Sequence, residues 1–156
     1  TVDDYPLFNS ALSRTDHILY LLDNAGEVVF DRLLIETLIS AGRKVTAVVK
    51  GSPVINDCTV LDAEETGITD ICEVIDNGSD AVGTIIEMTS PSFRERLKKA
   101  DLIISKGQGN FETLLFEDKR IFHLFQSKCD VVSKVLGVPK DSMLLKGSET
   151  PLYKGL

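Results

Sequence analysis

Histidine is scarce in this chain: His17 and His123 are the only two in 156 residues. His17 opens an apolar run and His123 lies inside another, so neither is placed to act as a catalytic base. A Ser–His–Asp or Cys–His hydrolase is thereby disfavoured, and no His/Cys spacing suits a zinc site. The three cysteines, Cys58, Cys72 and Cys129, are odd in number and far apart, with no CxxC pair. They read as reduced, core-packed thiols of a cytoplasmic protein rather than a disulfide framework. There is no GxxxxGK[ST], which excludes a Walker-type nucleotide triphosphatase. The turn DNAGEV offers one glycine where a dinucleotide fingerprint needs three. No apolar stretch approaches the roughly 20 residues of a membrane helix. The opening TVDDYPLFNS lacks the basic and apolar regions of a signal peptide. It also lacks an initiator Met, which marks the chain as processed or as a piece of something longer. A net charge of −7 with scattered basic residues argues against nucleic-acid and anionic-membrane partners.

What remains is an ordinary globular composition, 43% hydrophobic and 26% charged, at the length of one domain. Five apolar runs, 17–23, 45–50, 68–76, 101–106 and 120–128, and a weaker sixth at 142–146, are near-continuous rather than alternating. That is the pattern of parallel strands covered on both faces. Helical patterns separate them at roughly 25–40, 54–66, 91–99, 110–118 and 130–136. Several of these end at glycine, and Ser90-Pro91 supplies a cap followed by proline at the first helical position. Strand alternating with helix predicts a doubly wound α/β domain over 1–156, with a mostly parallel sheet of about six strands. Residues 1–16 fall outside the alternation and read as irregular, or as the remnant of a helical segment.

The polar residues gather where such a sheet binds ligands, beyond the carboxyl ends of its strands. Asp23 and Asn24 follow the first strand, SPVINDCT with Asp57 follows the second, DNGSDAVGT the third and SKGQGNFE the fourth. In the common strand order the first and fourth strands are neighbours, which sets Asp23 opposite Lys106. Taken singly, Asp23, Asn24 and Asp57 are as well explained as helix caps. Lys106 alone reads as a surface lysine, and Gly107 and Gly109 alone as turn glycines. Together they describe a metal-assisted phosphate site. Two carboxylates and an amide oxygen are hard ligands for a divalent ion such as Mg²⁺, Mn²⁺, Co²⁺ or Ni²⁺. Lys106, with the backbone amides from Gly107 through Gly109 to Asn110 at a helix start, would hold an anion. Ser79 and Asp80 are either substrate contacts or an ordinary turn. Glu27 and Asp31, one helical turn apart, are either supporting acids of the site or favourable first-turn carboxylates.

At these residues the sequence resembles the DUF89 family of metal-dependent damage-control phosphatases. DNAGEVVFD, SPVINDCT, NGSDAVGT and SKGQGNFE carry the resemblance, in that order, from about His17 to the end of the chain. The likeness is to the stand-alone archaeal and prokaryotic-type branch, related to the phosphatase domain fused to pantothenate kinase-like proteins. It implies a Rossmann-like three-layer α/β/α fold. It also implies hydrolysis of small phosphomonoesters: sugar phosphates, phosphopantetheine-like compounds or damaged metabolites. The family's metal ligands match Asp23, Asn24 and Asp57, and its phosphate-side lysine matches Lys106. Members of the branch generally carry a further helical segment before the α/β domain, and only some 15 residues precede the first strand here. A second copy of the chain in a homo-oligomer and a missing N-terminal helical domain are the protein partners left open. Two other functions fit parts of the pattern: an S-adenosylmethionine-dependent methyltransferase, and a receiver-like signalling domain with Asp76 as phospho-acceptor.

Overall fold

Six strands form one sheet in the order β3-β2-β1-β4-β5-β6 in the computed structural model, which describes residues 2–152. They are β1 (His17–Leu21), β2 (Lys44–Val49), β3 (Glu73–Asp76), β4 (Leu102–Lys106), β5 (Ile121–Gln126) and β6 (Met143–Gly147). Strands β1 to β5 pair in parallel, and β6 lies antiparallel against β5. The predicted doubly wound α/β fold with a mostly parallel sheet is the fold observed.

Alternation along the central strands makes the two apolar layers. Ile18, Tyr20 and Leu22 of β1 and its extension join Leu102 and Ile104 of β4 on one face. There they meet Val28, Ile35 and Leu38 of α2 (Val28–Ser40) and Ala63 of α3 (Val60–Glu65). Leu19, Leu21 and Ile103 point to the other face and pack on Phe93 and Leu97 of α4 (Pro91–Lys99) and Leu114 of α5 (Gln108–Leu114). A third cluster seats Val132 and Leu136 of α6 (Asp130–Leu136) on Phe111, Phe125 and Leu144. Each fully buried Leu, Ile or Phe contributes about 1.5–3 kcal/mol, so these layers dominate the stability.

Some boundaries differ from the sequence reading. The third run, expected as one strand over 68–76, begins as a 3₁₀ turn at Ile68–Asp70, and only Glu73–Asp76 pairs. Gly67, at φ 71°, turns the chain so that Ile68 enters the core instead of the sheet. The helix expected over 54–66 starts at Val60, where Asp62 accepts hydrogen bonds from the Thr59 amide and hydroxyl. The helix expected over 110–118 runs over Gln108–Leu114 and is followed by Phe116 at φ 72°. Residues before β1 contain a helix, α1 (Tyr5–Leu12). It docks on the sheet edge through an edge-on Phe8–Phe122 contact at 5.3 Å and through Asp4, which accepts from the Gly147 amide at 2.9 Å. No helix among the described residues is long and apolar enough to cross a membrane.

Candidate active site at the crevice between β1 and β4

Strand β1 lies between β2 and β4, where the chain reverses its direction of winding, and the loops leaving these three strands converge there. Asn24 and Asp57 form an isolated antiparallel bridge. The Cys58 amide donates to the Asp23 carbonyl at 2.7 Å, and the Ala25 amide to the Asn56 carbonyl at 2.9 Å. These backbone bonds fasten the loop after β1 to the loop after β2 and bring Asp23 and Asp57 within electrostatic reach. Burial, then the neighbouring Asp57 and Glu27 carboxylates, push Asp23 up to about 6. Asn24 donates its amide Nδ2 to Asp23 Oδ2 at 2.8 Å. From the far side, Gly107 closes on Asp23. It sits at φ 85°, and a Cβ there would collide with the Asp23 carboxyl group.

Lys106 comes from the end of β4 and donates to Asp31 at 2.6 Å and to Glu27 at 3.4 Å. Burial works to lower its pKa, but Asp31 and Glu27 outweigh burial and hold the ammonium above its ordinary value. Tyr20, wholly buried beneath, donates its hydroxyl to the same Asp31 oxygen at 2.7 Å. Asp31 is itself buried, and its second oxygen has no hydrogen-bond partner among the described residues. Glu27 and Asp31 are therefore joined to Lys106, which is more than first-turn carboxylates of a helix would require.

A cavity of about 600 Å³ opens beside these groups. Asp23, Glu27, Asp31, Lys106 and Lys128 line its polar end, and Phe30, Leu34, Leu124, Met143 and Leu145 its apolar wall. The size is that of a pocket for a metabolite-sized ligand.

Other sequence candidates are placed differently. Asn110 is buried, and its amide is used within the fold: it accepts from the Thr84 hydroxyl at 2.8 Å and donates to the Lys106 carbonyl at 2.8 Å. The Gly107 amide donates to the Leu124 carbonyl at 3.0 Å, so it is not free for an anion. Gly109 packs against Val82 and Gly83. Ser79 is buried in a turn, accepting from the Ala81 amide, while Asp80 is exposed; neither lines the cavity. Asp76 accepts from the Gly78 amide at the end of β3, the edge strand, away from Lys106. Neither histidine is near: His17 contacts Thr46, and His123 is sealed in the core, pushed down to about 3 by burial and Lys146.

Two lysines escaped the sequence reading. Lys50, at the end of β2, is buried, with its ammonium 3.4 Å from Asp57. Lys128, just past β5, faces the cavity and acts on Asp23 more strongly than Lys106 does. Both stand at strand ends, which is the signal that could have found them.

The donor chemistry suits a divalent cation. No three His, Cys, Asp or Glu side chains gather with ligating geometry among the described residues, so the set here is two carboxylates and one amide. Asp23 is raised first by burial and then by the Asp57 carboxylate; a cation beside them would offset both, and the oxygens are hard. Asp23, Asn24 and Asp57 fit such an ion.

A doubly wound α/β protein with paired carboxylates and a lysine at its central crevice is the class that fold and site define. Residues 1–144 match the family model of the damage-control phosphatase ARMT1-like domain, and the chain belongs to that family. It is similar to a damage-control phosphatase of Pyrococcus horikoshii, 41% identical over 145 residues, covering 92% of this chain and 50% of that protein. A damage-control phosphatase of Archaeoglobus fulgidus is 39% identical over 131 residues, covering 83% of this chain and 46% of the relative. The crystal structure of a DUF89 family protein from Pyrococcus horikoshii superposes with a TM-score of 0.90 at 39% identity, over 95% of this chain and 53% of that one. The chain thus spans about half the length of the relatives it matches.

Proposed function

We propose that this chain carries the catalytic site of a metal-dependent phosphatase acting on small phosphomonoesters. One observation supports the reading most: backbone bonds fasten the loop of Asp23 to the loop of Asp57, and Asp23 is raised to about 6 by burial and then by the Asp57 carboxylate. Such a pair is costly unless positive charge accompanies it; the Lys50 ammonium, 3.4 Å from Asp57, supplies part of that charge, and a divalent ion would supply more. Membership in the damage-control phosphatase family supports the reaction class.

Phosphate monoester hydrolysis is among the slowest uncatalysed reactions, with enzymic accelerations up to about 10²¹. Positioning and charge neutralisation must supply most of this. Asp23, Asn24 and Asp57 would hold a divalent ion, which when bound supplies Lewis acidity at the phosphoryl oxygens. Lys128 and Lys106 carry the positive charge that draws the anionic ester to the polar end of the cavity. Of the two, Lys128 is the one not tied to carboxylates among the described residues, whereas Lys106 is braced by Asp31 and Glu27. The apolar wall of Phe30, Leu34 and Met143 receives the organic part of the ester. Neither rival gains from the geometry: the β1 turn lacks the glycines of a cofactor cradle, and Asp76 stands at the sheet edge.

The test is phosphate release from p-nitrophenyl phosphate, sugar phosphates and phosphopantetheine with Mg²⁺, Mn²⁺, Co²⁺ or Ni²⁺, and with EDTA. Asp23→Ala and Asp57→Ala each lower kcat by orders of magnitude while circular dichroism stays native. A full rate in EDTA would remove the metal from the mechanism.

A further inference from the structure

Lys50 is a buried charge that the reaction does not use directly. Its ammonium donates to two carbonyls, that of Ala81 at 2.9 Å and, closest of all, that of Gly83, and forms an ion pair with Asp57 Oδ2 at 3.4 Å. Only 5% of the residue is exposed. The segment that offers the two carbonyls is itself fixed on other sides. The Gly51 amide donates to the Ser79 carbonyl at 3.0 Å, and a Cβ on Gly51 would come within 2.7 Å of the Gly78 backbone. The Thr84 amide donates to Thr113 at 2.8 Å, and the Thr84 hydroxyl to Asn110 at 2.8 Å. Asn110 in turn is bonded to the Lys106 carbonyl. The loop 77–84 is thus a rigid bracket running from the end of β2 to the start of α5, and Lys50 is the cross-tie between that bracket and Asp57.

We infer that Lys50 is a positioning residue for Asp57: it holds one carboxylate oxygen against the 81–83 carbonyls, leaves Oδ1 for the cation, and couples the metal site to the 77–84 loop. The inference rests on the metal reading above and deepens it. Geometry favours lysine for this task. A flexible stem reaches from the strand end, and the ammonium bonds two carbonyls while its charge faces a carboxylate. Groups that orient a metal ligand from behind typically affect metal affinity by 10–100-fold. A lysine that only filled space would leave that affinity alone, and one that only balanced the Asp57 charge would compete with the cation, so that its removal would tighten binding.

The experiment uses Mn²⁺ as the probe, on the 156-residue chain. Calorimetry compares the Mn²⁺ Kd of wild type and Lys50→Met, which removes the charge and keeps the volume. Hydrogen exchange follows the amides of Ala81 and Thr84 against those of β1 and β4 as an internal control. In Lys50→Met the expected outcome is at least a tenfold rise in Kd, with faster exchange confined to the 77–84 loop. In wild type, Mn²⁺ should slow exchange at Ala81 and Thr84, which reads the coupling without any substitution and so stands even if Lys50→Met does not fold. A Kd at or below the wild-type value in folded Lys50→Met, or wild-type loop exchange indifferent to Mn²⁺, overturns the inference alone. Failure of wild type to bind Mn²⁺ at all overturns the metal reading and this inference with it.

Discussion

Gly107 and the Asp23 carboxyl group contend for the same space, and the absence of a side chain at residue 107 decides it. The sequence marked both residues, but for different reasons. Asp23 stood out as an acid at a strand end, and Gly107 as part of an anion-binding turn. In the structure the Gly107 amide is spent on Leu124, and the glycine's contribution is room and a φ of 85°. Gly107→Ala should therefore cost stability twice, through left-handed backbone strain of about 1–2 kcal/mol and through a displaced Asp23. Its Mn²⁺ affinity, measured by calorimetry, should fall more than tenfold; unchanged affinity would mean that Asp23 has freedom to move aside. The same residue scale explains what was missed. Lys50 lies inside an apolar run and looks like its trailing end, and nothing local to VTAVVK announces that its ammonium turns inward to Asp57. Asn110, read as an anion contact through its backbone amide, has its side-chain amide taken by Thr84 and the Lys106 carbonyl, partners that are distant in sequence or hidden in the backbone.

Elements explain how the loops bring these side chains together. Helix α3 starts six residues later than periodicity suggested, because Thr59 and Asp62 form the cap and residues 54–59 remain free to bridge back to Asn24. That delay places Asp57 in the crevice; as a residue inside a helix it would have been carried along the helix surface. Thr59→Ala removes the hydroxyl that donates to Asp62 at 2.7 Å and should cost about 1 kcal/mol, read as a lower urea midpoint at unchanged slope. A midpoint equal to wild type would show the cap to be redundant. Helices 91–99 and 130–136 were legible because their signals are local: Ser90 caps Phe93 at 3.1 Å, and Gly137 ends α6 at φ 66°. The helix α1 was only one of two readings of residues 1–16, since eight residues carry little periodicity and its docking partners, Phe122 and Gly147, are over a hundred residues away.

At the level of the whole molecule, charge crowding at the crevice shapes how stability depends on pH. Asp23 is raised to about 6, so its proton is held more tightly in the folded protein than in the unfolded chain. A raised carboxyl favours folding when protonated, and that advantage is lost as pH climbs from about 4 through 6. In EDTA, Asp23→Asn should thus melt a few degrees above wild type at pH 7, and the two should converge near pH 4. Adding Mn²⁺ at pH 7 should raise the wild-type melting temperature and leave Asp23→Asn behind. Calorimetric melts in the four conditions check this, and a variant that melts with wild type throughout would place Asp23 in an uncrowded site.

The alternation of buried runs with amphipathic helices was enough, by itself, to determine the α/β class, the parallel sheet and the end of the sheet at which polar residues collect. Those properties follow from which residues leave water, and hydrophobic periodicity is written directly along the chain. The sequence also named the Asp23, Asn24 and Asp57 set. Only the tertiary structure decided that Lys106 is braced by Asp31 and Glu27, that Lys50 stands behind Asp57, and that Gly107 is a space rather than a donor. Each of those depends on distances between atoms brought together by strand order, and a one-dimensional pattern carries no such distances.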